Sequence, residues 1–383
     1  MIRLDTISRA TAWSRALRFI AGIALLGMAA GQSRAGGFYK QTNLVSDVPG
    51  LAKFTDPNLK NPWGISFGPT TFFWVSNQGS DTSTLYNTAG QPQALVVSIP
   101  TTGSGPQGPT GQVFNGTGSA TDFLLSNGNA ARFLFANLNG TISGWNGGAA
   151  AQIVASATSA IYTGLAIGSN GSGNFLYAAN SAANTIDVFN GTFAQTSLSG
   201  SFVDPNLPAG FTVYNIQRFG SSLYVTYENE ATGGGVINEF DLNGNFIRRI
   251  SSNGDGGPLD SPWGMAIAPS GFGTFAGKLL VGNEDDGRIS AFDLTTGDFV
   301  GQLLDESGNP ISNTGLWGLA FGNGGNGGDP NTLYFAAGIN GERNGLFGAI
   351  TFVPEPSSMA LAFMAGGVLA LRCGVKRVRR TAP

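Results

Sequence analysis

The stretch Asn61-Pro62-Trp63-Gly64-Ile65-Ser66-Phe67-Gly68-Pro69 returns later in the chain, and this return is the strongest indication of the fold. It comes back as Ser261–Pro269 and, in a shorter form, as Leu316–Gly322. Weaker copies occur three more times. The six copies align on Gly64, Gly111, Gly164, Asn215, Gly264 and Gly318. A period of about fifty residues indicates a repeat architecture rather than one irregular domain.

Each repeat contains further short segments that are rich in aromatic and β-branched residues. A second segment follows the glycine copy, as in Phe73–Asn77, and a third follows in most repeats, as in Thr185–Asn190. Asn139-Gly140, Asn190-Gly191 and similar pairs separate the segments, and Asn-Gly favours tight hairpin turns. Four strands in each of six repeats predict an all-β fold, a six-bladed β-propeller. A seven-bladed ring and a β-sandwich are the alternatives.

The last repeat lacks a fourth strand, because the chain changes character directly after Ile350-Thr351-Phe352. A spare strand, Phe38–Val45, lies at the other end of the repeats. We expect it to pair into the last blade and close the ring, which removes open sheet edges.

The body, residues 36–352, resembles NHL-type and related six-bladed propellers. The resemblance covers nearly the whole body and implies no catalytic motif that could be transferred to this sequence.

Residues 1–35 have the pattern of a secretory signal peptide. Arg3, Arg9, Arg15 and Arg18 precede an apolar run from Phe19 to Ala30. Small residues around Arg34 then predict cleavage after Ala35.

Residues 353–383 form the tail, in which an apolar segment, 357–375, is followed by an arginine-rich end. The segment could just span a bilayer, and the positive charges predict a cytoplasmic end. Val353, Pro354, Glu355 and Pro356 open the tail, which resembles the PEP-CTERM sorting signal of Gram-negative bacteria. Body and tail together resemble an uncharacterised family of exported propeller proteins that carry this signal. That resemblance implies an exosortase as partner, a tethered intermediate at the inner membrane, and a final place at the cell surface or outside the cell. It also implies an association with exopolysaccharide.

The composition of the body excludes several classes of function. Between Gly36 and Val353 there are 21 Asp and Glu against 10 Lys and Arg, which argues against a nucleic-acid partner. The chain has no histidine, and its one cysteine, Cys373, lies in the tail. A Ser-His-Asp triad, a histidine-ligated metal and thiol chemistry in the body are therefore excluded.

Oxygen-bearing side chains are expected in the loops around one mouth of the central channel. Turn formation and solvation are the ordinary explanation for each of them. The alternative is a ligand-binding or metal-binding face, with Glu228, Glu284 and Asp285 as Ca²⁺ ligands, since Ca²⁺ takes oxygen ligands. The candidates for this face are Asp56, Asn77, Asn137, Asn180, Asp204, Glu228, Glu284 and Asp285.

Three functional hypotheses follow. The first is a non-enzymatic, exported propeller that binds a ligand or polysaccharide, and the second is a calcium-dependent propeller hydrolase of the lactonase type. A purely structural matrix component is a third possibility. Trp63, Trp263 and Trp317 either pack the interior or stack on sugars at the channel mouth.

Overall fold

The computed structural model describes residues 37–102 and 106–355. It contains six sheets, antiparallel except for one short parallel pair at the outer edge of the last sheet. The inner strand of each sheet contacts the inner strand of the next. The innermost strand of the last sheet also contacts that of the first, so the ring is closed. The prediction of a six-bladed β-propeller is confirmed.

The first five blades each have four strands, numbered here in chain order. Blade 1 has β3 (Pro62–Ser66), β4 (Phe73–Asn77), β5 (Thr82–Tyr86) and β6 (Pro92–Ser98). Blade 2 has β7 (Pro109–Phe114), β8 (Phe133–Asn137), β9 (Thr141–Trp145) and β10 (Gln152–Ser156). Blade 3 has β11 (Tyr162–Asn170), β12 (Gly173–Asn180), β13 (Thr185–Asn190) and β14 (Gln195–Thr196).

The fourth and fifth blades repeat this order from the channel outward. Blade 4 has β15 (Thr212–Phe219), β16 (Ser222–Glu228), β17 (Gly235–Asp241) and β18 (Phe246–Asn253). Blade 5 has β19 (Pro262–Ile267), β20 (Leu279–Asn283), β21 (Ile289–Phe292) and β22 (Phe299–Gln302). Short 3₁₀ turns lie at Gln78–Ser80 and Gly273–Phe275, and a short helical turn lies at Ile339–Glu342.

Blade 6 combines the two ends of the body. Its strands are β23 (Leu316–Phe321), β24 (Leu333–Ala337), β25 (Leu346–Pro354), β1 (Gly37–Ser46) and β2 (Phe54–Thr55). The N-terminal strand β1 pairs with β25, as the sequence predicts. Tyr39 on β1 packs against Phe272 of blade 5, with ring centroids 4.9 Å apart, and its hydroxyl donates to Phe272 O at 3.0 Å. The N-terminal strand β1 thus joins the last two blades.

Glycine recurs on the inner strands because the neighbouring blades approach closely there. A Cβ atom at Gly64 would lie 2.6 Å from Thr110 O, and one at Gly318 would lie 2.5 Å from Trp63 O. Blade 4 carries Asn215 at this position, and its amide donates to Trp263 O at 2.7 Å. The aligned residue of each repeat, glycine or Asn215, therefore lies where consecutive blades contact each other near the axis.

Of the four predicted Asn-Gly turns, two have the expected positive φ at glycine, and two, Asn115-Gly116 and Asn190-Gly191, do not. Gly140 and Gly244 adopt φ of +74° and +83°, in the left-handed region. After Asn190-Gly191, it is Phe193 that takes the positive φ, +62°. There, Phe193 N donates to Asn190 O, and the Asn190 side chain accepts from Thr192 N and Ala194 N. These bonds allow the left-handed residue to lie two positions beyond the glycine.

The second strands end, and the inner strands begin, on the same face of the propeller. Pro62 pairs with Asn77 in blade 1, and Pro262 pairs with Asn283 in blade 5. The loops between second and third strands and the connections between blades therefore share this face, as expected. We call it the loop face.

Strand β25 continues to Pro354, two residues past the predicted end of the body at residue 352. Val353 and Pro354 of the predicted sorting motif are therefore strand residues, and Glu355 follows them. Pro356, the signal peptide 1–35 and the apolar segment 357–375 lie outside the described residues. In residues 37–102 and 106–355, no helix is long and apolar enough to cross a membrane.

Candidate functional site: the acidic mouth of the channel

Aromatic side chains close the central channel below the loop face. Trp63, Trp263, Trp317 and Tyr214 form one buried cluster, which we call the aromatic plug. Each occupies the position directly before the recurring glycine or asparagine of its repeat, in blades 1, 5, 6 and 4. Closure of the ring brings these equivalent positions to the axis, so the side chains meet although they are far apart in sequence.

The tryptophans pack on one another rather than on solvent. Trp63 and Trp317 stack with ring centroids 3.5 Å apart, and Trp263 packs edge-on to both. The exposed fraction is only 6% for Trp63, 3% for Trp263 and 1% for Trp317. This burial supports the packing interpretation over stacking on a sugar, which requires an accessible ring face.

Three glutamates from consecutive blades approach the axis above the plug. Glu228 is the last residue of β16, and Glu284 directly follows β20, so both stand at the loop-face end of a second strand. Glu342 comes from the turn after β24, where its φ is +63°. With Asp285, these three carboxylates define the acidic mouth.

Residues that precede the inner strands hold the carboxylates in place. Asn61 Nδ2 donates to Glu342 Oε2 at 3.1 Å, while Asn61 Oδ1 accepts from Trp317 Nε1 at 3.0 Å. In blade 5 the equivalent residue, Ser261, donates through Oγ to Asp285 Oδ2 at 2.7 Å. Asn61 and Ser261 both adopt positive φ, 41° and 51°. The mouth is thus built on strained backbone and is connected to the plug.

Burial and mutual repulsion raise the pKa values of these carboxyl groups. Burial, followed by the charges of Asp285, Glu342 and Glu228, raises the pKa of Glu284 to about 8. Burial, followed by the charges of Glu230 and Asp285, raises the pKa of Glu228 to about 7. Near neutral pH the mouth therefore contains both protonated and ionised carboxyl groups.

The same repulsion extends to the edge of the mouth. Burial raises the pKa of Glu342, although the hydrogen bond from Asn61 opposes the shift. Burial and then the charge of Asp285 raise the pKa of Asp260.

Tyr214 forms the base of the acidic mouth. Its pKa is raised well above its usual value by burial and then by the charges of Glu228, Glu284, Glu342 and Asp285. The phenol is therefore near enough to these four side chains to experience their charges, and it stays protonated, so that its hydroxyl can act as a hydrogen-bond donor.

The acidic mouth contains the three predicted Ca²⁺ ligands, Glu228, Glu284 and Asp285. Among the residues that the structure describes, no group of three or more Asp, Glu, His or Cys side chains is arranged to hold a metal ion. Calcium binding by these three residues stays a prediction.

The two predicted Asp-Pro-Asn-Leu residues have structural partners within their own blades. Asp56 accepts from Asn58 N at 2.9 Å and from the Tyr86 hydroxyl at 2.9 Å. Asp204 accepts from Asn238 Nδ2 at 3.1 Å and forms an ion pair with Arg249. Both aspartates begin a turn and tie it to the third strand of the blade, and in blade 4 also to the fourth.

The predicted asparagines at the ends of second strands also bond inside their blades. Asn77 donates to Thr84 Oγ1 at 2.9 Å, and Asn137 donates to Thr141 Oγ1 at 3.0 Å. Asn180 donates to Asp187 Oδ2 at 3.0 Å. These amides join the second strand to the third, and they are not part of the acidic mouth.

Sequence reasoning did not identify two residues of the site, Glu342 and Tyr214. Glu342 follows the second strand of blade 6, and this position is the signal that could have identified it. Tyr214 aligns with the three tryptophans, which indicated an axial position but not its contact with carboxylates.

No protein-family model matches the chain. It is 32% identical over 345 residues to the uncharacterised protein R648 of Acanthamoeba polyphaga mimivirus, covering 84% of this chain and 82% of R648. It is 32% identical over 346 residues to the uncharacterised protein L690 of the same virus, and the match covers 84% of this chain and 87% of L690. Among solved structures, a proposed glucose dehydrogenase from Thermus thermophilus aligns with a TM-score of 0.51 and 11% identity, covering 82% of this chain and 100% of that chain. The last similarity concerns the fold alone.

Proposed function

The chain belongs to the family that includes the uncharacterised mimivirus proteins R648 and L690, and for this member we propose an exported propeller that binds a hydroxyl-rich polymer, such as a surface polysaccharide, at the acidic mouth. The observation that carries the proposal is the convergence of Glu228, Glu284 and Glu342, with Asp285, above Tyr214 at one mouth of the channel.

The chemistry of a partly protonated carboxyl group matches that of a sugar hydroxyl. A protonated carboxyl donates one hydrogen bond and accepts others, whereas a carboxylate only accepts. A sugar hydroxyl also donates and accepts. Glu228 and Glu284 near neutral pH, together with the Tyr214 hydroxyl, therefore offer both functions within one opening.

Export is the second part of the proposal. It is supported by the basic and apolar character of residues 1–35 and by the order of Val353, Pro354, Glu355 and Pro356, an apolar segment and arginines. We propose that the protein is translocated, processed by an exosortase, and placed at the cell surface or released. Polysaccharide outside the cell is then the accessible partner.

Affinity electrophoresis of the full chain in gels containing dextran, galactomannan or xyloglucan tests the binding. We expect retardation at pH 6 that weakens as the pH rises from 7 to 9, because Glu228 and Glu284 lose their donor protons. Glu284→Gln keeps a donor and an acceptor without titrating, so its retardation should depend less on pH. Tyr214→Phe should weaken retardation at every pH, and Glu306→Gln in an exposed loop is the matched control.

Absence of retardation by all three polymers at pH 6 would contradict the proposal. If retardation neither changes with pH nor weakens in Tyr214→Phe, the binding site lies elsewhere on the surface.

A hydrolase is the second candidate, because a carboxyl group with a pKa of about 8 can serve as a general acid. Asp285, which accepts a hydrogen bond from Ser261, would be the available base. Lactone, ester and glycoside substrates should then be turned over by the wild type and not by Glu284→Gln. The calcium-dependent form of this hypothesis also requires the melting temperature to rise with millimolar Ca²⁺ and to return with a chelator.

A further inference from the structure

The channel beyond the aromatic plug opens to the other face as a cavity of about 570 Å³. This volume lies within the range of about 300–1,000 Å³ that small-molecule sites occupy. The end portions of all six inner strands form its wall. Its apolar lining includes Ile65, Phe67, Phe114, Ile167, Phe219 and Phe321.

The cavity narrows at its inner end, toward the aromatic plug. A narrower void of about 30 Å³ continues from it and is bordered by Trp263 of the plug. The acidic mouth lies on the far side of the same plug. The two openings of the channel are therefore separate sites with different chemistry.

Three uncharged polar side chains, Ser66, Gln112 and Gln217, are part of the wall. Ser66 Oγ has no hydrogen-bond partner among the described residues, whereas both glutamines bond to the protein. Gln112 Nε2 donates to Gly64 O at 2.8 Å, and Gln217 Oε1 accepts from Met265 N at 2.7 Å. Both bonds tie one inner strand to the next. Since both glutamines are held in these bonds and most of the lining side chains are apolar, the wall favours an apolar occupant.

A single charged residue, Arg218, is part of the described lining, and it is exposed. Its Nε donates to Gly220 O at 2.8 Å, which leaves the two terminal nitrogens of the guanidinium for other partners. It takes part in none of the ion pairs formed among the described residues. A guanidinium at the opening of an apolar cavity is complementary to a carboxylate on an apolar ligand.

We propose that this cavity binds an anionic amphipath, a hydrophobic carboxylic acid whose apolar part fills the channel and whose carboxylate pairs with Arg218. The inference is independent of polysaccharide binding at the acidic mouth, because its residues lie on the other side of the plug. Either proposal can fail without the other.

Displacement of the fluorescent anion 8-anilinonaphthalene-1-sulfonate from the full chain by dodecanoate tests this inference. We expect dodecanoate to displace the probe with a stoichiometry of one. Arg218→Gln should weaken dodecanoate about fivefold, as expected for an ion pair near the surface, and leave dodecanol unchanged. Arg343→Gln, an exposed arginine on the loop face, is the matched control.

A second variant tests the location of the apolar part. Ala320 lines the cavity, so Ala320→Phe should reduce the binding of both dodecanoate and dodecanol. If circular dichroism shows that this variant does not fold, the comparison of dodecanoate with dodecanol in Arg218→Gln still tests the proposal. Failure of dodecanoate to displace the probe, or equal weakening of acid and alcohol by Arg218→Gln, would overturn the proposal.

Discussion

Trp63 and Trp317 stack with their ring centroids 3.5 Å apart and their planes inclined by 13°. The two residues come from the inner strands of blades 1 and 6, which are the blades that meet where the ring closes. Their stacking therefore contributes directly to closure, and it also separates the acidic mouth from the apolar cavity.

Replacement of the buried Trp317 should lower the stability of the protein. We expect Trp317→Ala to lower the free energy of unfolding by about 3–5 kcal/mol, because it removes a large buried ring from the plug. Trp317→Phe keeps an aromatic ring but loses the hydrogen bond to Asn61, and it should cost less. Urea denaturation measures both, with the exposed Leu51→Ala as a control expected to change stability by less than about 0.5 kcal/mol. Equal stability of Trp317→Ala and Leu51→Ala would contradict the role of the plug.

The glycines of the inner strands should tolerate no side chain. A Cβ atom at Gly264 would collide with the backbone carbonyl of Trp317 in the next blade. We expect Gly264→Ala to destabilise the protein by about 1–3 kcal/mol or to prevent folding, since backbone cannot move aside as a side chain can. Gly171→Ala is the control, because no atom of the described residues lies within 4 Å of its Cβ position. Thermal melting of the two variants should differ clearly.

The raised pKa of Glu284 should make stability depend on pH. Between its unfolded pKa near 4.5 and its folded pKa of about 8, the folded state holds a proton that the unfolded state has released. The free energy of unfolding therefore falls as the pH rises through this window. Glu284→Gln should remove this part of the decline and be more stable than the wild type at pH 8.5 by about 1–2 kcal/mol, allowing for screening of a partly exposed group.

Urea midpoints at pH 5.5 and pH 8.5 measure this effect, with Glu306→Gln as the matched exposed control. If Glu284→Gln loses as much stability as the wild type between the two pH values, ionisation of Glu284 does not cause the fall in stability.

The N-terminal strand should be essential for closure. Tyr39 packs against Phe272, Phe275 and Phe352, so Tyr39→Ala should cost about 3–5 kcal/mol. Tyr39→Phe should cost only about 1 kcal/mol, the value of the hydrogen bond to Phe272 O. Melting temperatures measure the difference. A similar loss in both variants would show that the hydroxyl, and not the ring, holds the strand.

The loop residues show how far prediction from sequence reaches. Glu228 and Glu284 are predicted to share a face because each follows the second strand of its blade, and the structure brings them together. The same prediction includes Asp56 and Asp204, yet their carboxylates bond to the strands of their own blades. An acidic turn residue has the same sequence pattern in both roles, because only the direction of its side chain distinguishes them.

The repeat, the number of blades and the strand that closes the ring can all be predicted from the sequence, since they depend on local strand and turn preferences and on the spacing of glycine. The meeting of Trp63, Trp263, Trp317 and Tyr214 on the axis, with Glu342 beside Glu228 and Glu284 above them, emerges only in the folded ring. Residues from different blades become neighbours through ring closure, and burial and repulsion among charges depend on that proximity rather than on any local pattern.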